Sequence, residues 1–227
     1  MRTILFDIDG TLLKAGFIVK EAMGQALKDV FGTSGRIMDA SFIGATDIGV
    51  VRALMTEAGF ELTEIHEKLG RLFEVYGGIL EVKLRTWTKF QLCSGVPAIL
   101  DELDSRDALL GLVTGNCQQG AFAKLGKAEL TDYFSFGAFG DESDDRAELC
   151  SYAHARAEVE ANKSISKSDL ILVGDSPNDV KAAKAYGIRA LCVASGWTPV
   201  EELKQENPTW LRSDLSDTGE IVDLLLS

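Results

Sequence analysis

Four short runs of Ile, Leu and Val limit most strongly what this chain can fold into. The runs are TILFDI from Thr3, ALLGLVT from Ala108, DLILVGD from Asp169 and RALCVAS from Arg189, with YFSFGAF from Tyr133 as a weaker fifth. They do not alternate apolar with polar residues, which is typical of parallel strands buried on both faces. Helical patterns separate the later runs, so the sequence predicts an open, Rossmann-like parallel sheet of the α/β class.

The stretch from Lys14 to about Leu92 interrupts this alternation of strands and helices. It carries helical patterns only, with apolar residues spaced to form one face of each helix. A crossover between parallel strands usually needs one helix, so three or four helices indicate a separate unit inserted after the first strand. We therefore expect a core domain of residues 1–13 and 93–227 and an α-helical cap domain of residues 14–92.

Composition narrows the class of protein and its partners. The 227 residues carry a net charge of −12 and include four cysteines without a CxxC spacing. The negative charge argues against a nucleic-acid or membrane partner, and the scattered cysteines favour buried thiols over a zinc site or a disulfide framework. No apolar run reaches the roughly 18 residues of a membrane-spanning helix, so a cytoplasmic protein is expected. The sequence leaves the oligomeric state open.

Polar residues gather where the expected strands end. They are Asp7 and Asp9 after the first run, Thr114, Gly115 and Asn116 after the second, and Asp175 and Asp179 in GDSPND after the third. Parallel strands end at one edge of a sheet, and ligands bind in the crevice there. Up to four carboxylates at that edge would raise one another's pKa without a cation among them, and Mg²⁺ suits such an oxygen-rich site.

Three of these motifs resemble those of the haloacid dehalogenase-like hydrolase superfamily, in particular its helical-cap phosphatases of the phosphoglycolate phosphatase and β-phosphoglucomutase group. DIDGT is similar to the first motif of that family, the threonine of LVTGN to the second and GDSPND to the fourth. The motifs follow the family's order along almost the whole chain, with the helical segment where such a cap belongs. The resemblance implies a phosphatase that hydrolyses a small phosphomonoester with Mg²⁺ through an aspartyl-phosphate intermediate.

The resemblance also implies roles for the motif residues. Asp7 would be the nucleophile and Asp9 the general acid and base, while Thr114, Gly115 and Asn116 would hold the phosphoryl oxygens. The implied Mg²⁺ ligands are the carboxylates of Asp7 and Asp175 and the backbone carbonyl of Asp9, with Asp179 beside them either as a further ligand or as a residue that supports the ligands.

The third family motif, a lysine shortly before a helix, has no direct counterpart here. The corresponding stretch reads GDESDDRAELCSYA, and we assign Arg146 to the lysine's role because arginine keeps its charge and can bridge two oxygens. Lys124 and Lys127 are the alternative cations. Arg52, in the helical segment, is an expected contact for a substrate anion, although an exposed helix charge would explain it equally well.

Two other functions remain open at this stage. A phosphomutase of the β-phosphoglucomutase type would use the same residues and differ in how the cap manages water and substrate. A non-catalytic, phospho-accepting signalling module also combines acids, Mg²⁺, threonine and lysine, but its acceptor ends a later strand in a chain of about half this length. Asp9 favours phosphate-ester hydrolysis, because the dehalogenase and phosphonatase branches generally lack an aspartate two residues after the nucleophile.

Overall fold

A six-stranded parallel sheet forms the centre of the protein in a computed structural model that describes residues 2–227. Along the chain, the elements are β1 (Thr3–Phe6), β2 (Leu13–Lys14), α1 (Ile18–Phe31), α2 (Asp47–Glu57), α3 (Leu62–Thr86), β3 (Gln91–Leu92), α4 (Val96–Ser105), β4 (Leu109–Val113), α5 (Gln118–Ala128), β5 (Phe136–Ala138), α6 (Arg146–Ala161), β6 (Leu170–Gly174), α7 (Pro177–Tyr186), β7 (Arg189–Val193), α8 (Val200–Gln205), β8 (Trp210–Arg212) and α9 (Thr218–Leu226). The strand order is β5-β4-β1-β6-β7-β8, and every neighbouring pair is parallel. The expected α/β class and Rossmann-like sheet are confirmed.

The sheet is covered on both faces, which explains why its strands carry unbroken apolar runs. Alternate residues of β1 point into different hydrophobic clusters, with Ile4 and Phe6 in one and Leu5 in the other. Apolar residues of α4, α5 and α9 belong to the first cluster, and those of α6 and α7 belong to the second. The central strands are therefore fixed in register by burial on two sides.

The expected helical segment consists of α1, α2 and α3, which lie between β2 and β3. These two short strands pair antiparallel, Leu13 with Leu92 and Lys14 with Gln91, so the segment begins and ends at adjacent points. Its longest helix, α3, packs along both α1 and α5. The contact between α3 and α5 is close, because a Cβ on Gly120 would lie 2.7 Å from the ring of the buried Tyr76. The boundaries of a cap at residues 14–92 and a core at 1–13 and 93–227 stay a prediction.

The four cysteines are free and buried, as expected from their spacing. Across residues 2–227, none of the helices combines the length and the apolar composition that crossing a membrane requires.

Candidate active site

The carboxyl ends of β4, β1 and β6 lie side by side in the middle of the sheet. Asp7 directly follows β1, Asp175 directly follows β6, and Asp179 lies in the first turn of α7. All three carboxylates are buried, and one oxygen of each lies within 4.8 Å of an oxygen of the other two. The fold thus assembles an acidic cluster, Asp7, Asp175 and Asp179, from two segments that are distant in sequence.

Two glycines make room for the Asp175 carboxylate. A Cβ on Gly10 would lie 2.3 Å from Asp175 Oδ2, and one on Gly196 would lie 1.6 Å from the same oxygen. Gly10 also has φ +86°, a left-handed conformation that side chains rarely adopt. The glycine of DIDGT is therefore required both by the turn of the backbone and by the approach of an acid from another strand.

Arg146 is the cation that contacts the acidic cluster. It is the first residue of α6, whose N-cap, Asp145, accepts a hydrogen bond from the Ala147 N–H at 2.8 Å. Arg146 Nη2 lies 3.4 Å from Asp7 Oδ1, and Nη1 donates to Asp179 Oδ1. Burial opposes the charge of Arg146, but the two carboxylates outweigh it, and its pKa is raised above the ordinary arginine value.

The oxygens of Asp179 are largely occupied by partners within the protein. Oδ2 accepts hydrogen bonds from the Ser176 N–H at 3.0 Å and from the Ser176 hydroxyl at 2.6 Å, while Oδ1 accepts from Arg146. The bond from the Ser176 N–H and the reciprocal bond from the Asp179 N–H to Ser176 Oγ, at 3.3 Å, form a capping box at the start of α7. Asp179 therefore caps a helix and holds Arg146, whereas Asp7 and Asp175 keep more free oxygen lone pairs.

The electrostatics of the acidic cluster suit a divalent cation. Burial raises the pKa of both Asp7 and Asp175, and neighbouring carboxylates raise them further while Arg146 lowers them. Three ionised carboxylates and one guanidinium leave two uncompensated negative charges. Carboxylate oxygens are the donors that Mg²⁺ prefers, and its double charge would neutralise this excess. The residues present therefore fit such an ion.

Asp9 lies in a second group of polar side chains, which includes the other buried cation. Lys124, on α5, is 1% exposed, and its Nζ donates to Asp9 Oδ2 and to Asn116 Oδ1. Asn116 Nδ2 in turn donates to Asp9 Oδ2 at 2.8 Å and to Thr114 Oγ1 at 2.7 Å. The Asp9 side chain is 29% exposed. These bonds tie the motif after β1 to the motif after β4 and orient Asp9.

A cavity of about 440 Å³ lies between the sheet edge and the helical segment. Its inner end is lined by Asp7, Asp9, Gly115, Asn116, Lys124, Arg146 and Asp175. A small molecule in the cavity would thus meet the acidic cluster, Asp9 and both buried cations at once.

Comparisons with known proteins agree with this arrangement. A family model described as haloacid dehalogenase-like hydrolase matches residues 4–193. The chain belongs to this family. A phosphoglycolate phosphatase of Photorhabdus laumondii is 28% identical over 96% of this chain and 90% of its own length, and one of Synechococcus elongatus is 27% identical over 100% and 99%. The structure of a hydrolase from Pseudomonas syringae has a TM-score of 0.71 at 19% identity, covers 100% of both chains, and supports the fold alone.

The expectation of a phosphatase of the haloacid dehalogenase-like family is confirmed at this level by the family match and the curated relatives. The chain's counterparts of the first and fourth family motifs follow the neighbouring strands β1 and β6. The counterpart of the second motif follows β4, where Thr114 is fully buried beneath Asn116 and does not itself line the cavity.

An expected substrate contact, Arg52, and an alternative cation, Lys127, lie outside the cavity. Arg52 forms an exposed ion pair with Asp144, with 2.7 Å between Nη1 and Oδ2, and does not line the cavity. The expected contact of Arg52 with substrate is therefore unsupported, because a surface carboxylate already pairs with its charge. Lys127 is exposed and lines a different groove, whereas Lys124, one turn earlier on α5, faces the site.

Asp47, the first residue of α2, is a site residue that the strand-end motifs do not predict. It is 4% exposed, its N–H donates to the Gly115 carbonyl at 2.7 Å, and its carboxylate accepts from the Cys117 N–H at 2.8 Å. Burial raises the pKa of Asp47 to about 6, while the charge of Lys124 lowers it. These two bonds fasten the helical segment to the loop after β4.

The loop before α2 also touches the counterparts of the second and fourth motifs. Asn178 Nδ2 donates to the Gly44 carbonyl at 2.7 Å, and a Cβ on Gly115 would lie 2.0 Å from the Ala45 carbonyl oxygen. The helical segment therefore sits directly over the site, where it can exclude water from the inner cavity.

Proposed function

We propose that this enzyme hydrolyses a small phosphomonoester in a Mg²⁺-dependent reaction that proceeds through an aspartyl-phosphate on Asp7. The observation that carries the proposal is that one cavity exposes two differently supported acids. Asp7 lies in a buried acidic cluster beside Arg146, and Asp9 lies beside Lys124 at the cavity wall. A nucleophile and a proton donor are the two groups that this chemistry needs.

In the first half of the proposed reaction, a carboxylate oxygen of Asp7 bonds to phosphorus as the ester P–O bond breaks. The leaving alkoxide takes a proton from the Asp9 carboxyl, which Lys124 and Asn116 hold in place. In the second half, Asp9 takes a proton from the water that attacks the aspartyl-phosphate, so Asp7 is regenerated and inorganic phosphate leaves. Over the full cycle, Asp9 regains the proton that it gave to the alkoxide, and the products are the alcohol and inorganic phosphate.

The remaining residues of the site position the Asp7 carboxylate and the phosphoryl group and neutralise their charge. Arg146 contacts Asp7 and orients its carboxylate, and the backbone of Gly115 and the side chain of Asn116 are placed to bind phosphoryl oxygens. Thr114 supports Asn116 by accepting its amide hydrogen. When bound, Mg²⁺ would be held by Asp7, Asp175 and the Asp9 carbonyl and would supply charge that neutralises the transferring group, with Asp179 acting through Arg146.

Phosphate release from a panel of phosphomonoesters, with Mg²⁺ or with EDTA, tests the proposal. The names of the curated relatives make phosphoglycolate the first ester to include. Release should require Mg²⁺, and acid quenching during turnover should trap a phosphorylated protein. Asp7→Asn should abolish both signals, whereas Asp132→Asn, which changes an exposed acid, should retain them.

Contrary outcomes have distinct meanings. Release that persists in Asp7→Asn would exclude an aspartyl-phosphate on this residue. Isomerisation of a sugar phosphate without net release would identify a phosphomutase instead.

A further inference from the structure

The lining of the cavity is polar next to the acids and mostly apolar farther from them. Its outer wall carries six apolar side chains, those of Phe17, Val19, Met38, Phe42, Ile43 and Trp197. Four of them, Phe17, Met38, Ile43 and Trp197, are between 49% and 54% exposed. Large apolar side chains left exposed around a concave surface mark a binding site, because a bound ligand would remove them from water.

One lysine lines the outer part of the cavity, and a second, Lys14, lies nearby, with its Nζ 5.8 Å from the centre of the Trp197 ring. Lys20 is the one cation there among the described lining residues, and its Nζ already donates to the Met38 carbonyl at 3.2 Å. The same Nζ lies 5.9 Å from the centre of the Phe42 ring. Lys124 and Arg146, at the inner end, are paired with carboxylates. A leaving group with its own carboxylate would therefore meet at most Lys14 and Lys20, against six apolar side chains in the outer wall.

The size of the cavity gives a second, independent indication. Ligand pockets of about 300–1,000 Å³ enclose ring-sized organic molecules, and the 440 Å³ here falls within that range. A two-carbon ester such as phosphoglycolate would fill only the inner end and leave the apolar wall in contact with water.

We propose that the preferred substrate is a phosphomonoester whose organic group is apolar and contains a ring. This inference rests on the proposed function, because it names the substrate class of the same site. The phosphoryl group binds at Asp7, and the ring contacts the outer wall formed by Phe17, Phe42 and Trp197. The apolar outer wall and the size of the cavity both favour such a group over a small anionic one.

Two matched esters test the proposal. Benzyl phosphate and phosphoglycolate both carry an O–CH₂ group on phosphorus and differ in a phenyl ring against a carboxylate. Both leaving groups are primary alcohols. We expect kcat/KM to be at least about tenfold higher for benzyl phosphate, and to rise about fourfold for each methylene along a series of alkyl phosphates until the cavity is filled.

Variants of the apolar wall provide a second readout. Trp197→Ala and Phe42→Ala should each lower the preference for benzyl phosphate over phosphoglycolate by about tenfold, because less apolar surface is buried. Trp197→Phe should restore most of that preference. Tyr152→Ala is the matched control, because Tyr152 is an aromatic residue on α6 that is also partly exposed but lies outside the cavity.

A preference for benzyl phosphate below tenfold would overturn the inference while leaving the proposed phosphatase intact. A preference for phosphoglycolate that Lys20→Met removes would overturn it in the same way. If neither ester is hydrolysed, the proposed function fails, and the inference is decided by binding of the corresponding phosphonates in the presence of Mg²⁺. Tighter binding of 2-phenylethylphosphonate than of 3-phosphonopropionate supports it, and any other result overturns it.

Discussion

Replacing Asp47 by asparagine should make the stability of the protein less sensitive to pH. The Asp47 carboxylate is buried and accepts a hydrogen bond from the Cys117 N–H at 2.8 Å. An asparagine Oδ1 can accept the same bond, so Asp47→Asn keeps this contact and removes only the buried charge. Because burial raises the pKa of Asp47 from 3.8 to about 6, the folded chain binds a proton there that the unfolded chain has released.

The sign and size of the effect follow from this shift. A raised carboxyl pKa gives stability that is fully present below pH 3.8 and is lost as the pH rises through about 6. A shift of about two units corresponds to about 3 kcal/mol in total. The part of that loss that falls between about pH 5 and pH 8 is about 1.4 kcal/mol, or about tenfold in the unfolding equilibrium constant.

Urea unfolding of both proteins in EDTA, at pH 5 and at pH 8, measures this quantity. At each pH, the free energy of unfolding of the wild type is subtracted from that of Asp47→Asn. This difference should be about 1.4 kcal/mol larger at pH 8 than at pH 5. Asp132→Asn, which alters an exposed carboxylate, is the control for nonspecific effects of removing a negative charge. A difference that stays constant or shrinks as the pH rises would refute the view that burial raises the pKa of Asp47.

Three further perturbations probe the site. Arg146→Ala should lower kcat for phosphate release by at least about 100-fold, because the acidic cluster loses its protein cation, while Lys127→Ala should stay within about twofold. Gly115→Ala should lower kcat/KM by at least about tenfold with unchanged circular dichroism, because its Cβ would lie 2.0 Å from the Ala45 oxygen. Mg²⁺ should raise the melting temperature of EDTA-treated protein more at pH 8 than at pH 6, because burial raises the pKa of Asp175, and this gain should vanish in Asp175→Asn.

The sequence predicted the parts of the fold that depend on burial. Strands such as Leu170–Gly174 are buried along their full length, so composition alone reveals them. The short strands Leu13–Lys14 and Gln91–Leu92 and the edge strand Trp210–Arg212 had no such signal. Those strands are two or three residues long and none of them is buried along its full length, so backbone pairing with a neighbour defines them.

The same distinction applies to the site. Asp7 and Asp175 were predicted because each directly follows a strand of the sheet, where position along the chain determines position in space. Asp47 and Lys124 lie on helices, and packing of those helices against the sheet edge brings them to the cavity. Arg52 shows the converse. It was expected near the substrate because it lies in the helical segment, but its side chain pairs with Asp144 instead.

The pairing of β2 with β3 has a consequence for how such enzymes diversify. Because residues 15–90 leave and rejoin the core at hydrogen-bonded neighbours, the ends stay closed whatever length of chain lies between them, and loop-closure entropy changes only slowly with that length. Evolution can therefore replace the whole helical segment, which forms most of the outer cavity wall, without altering the strands that hold the acids. A replacement must again cover the surface of α5 that Tyr76 now contacts.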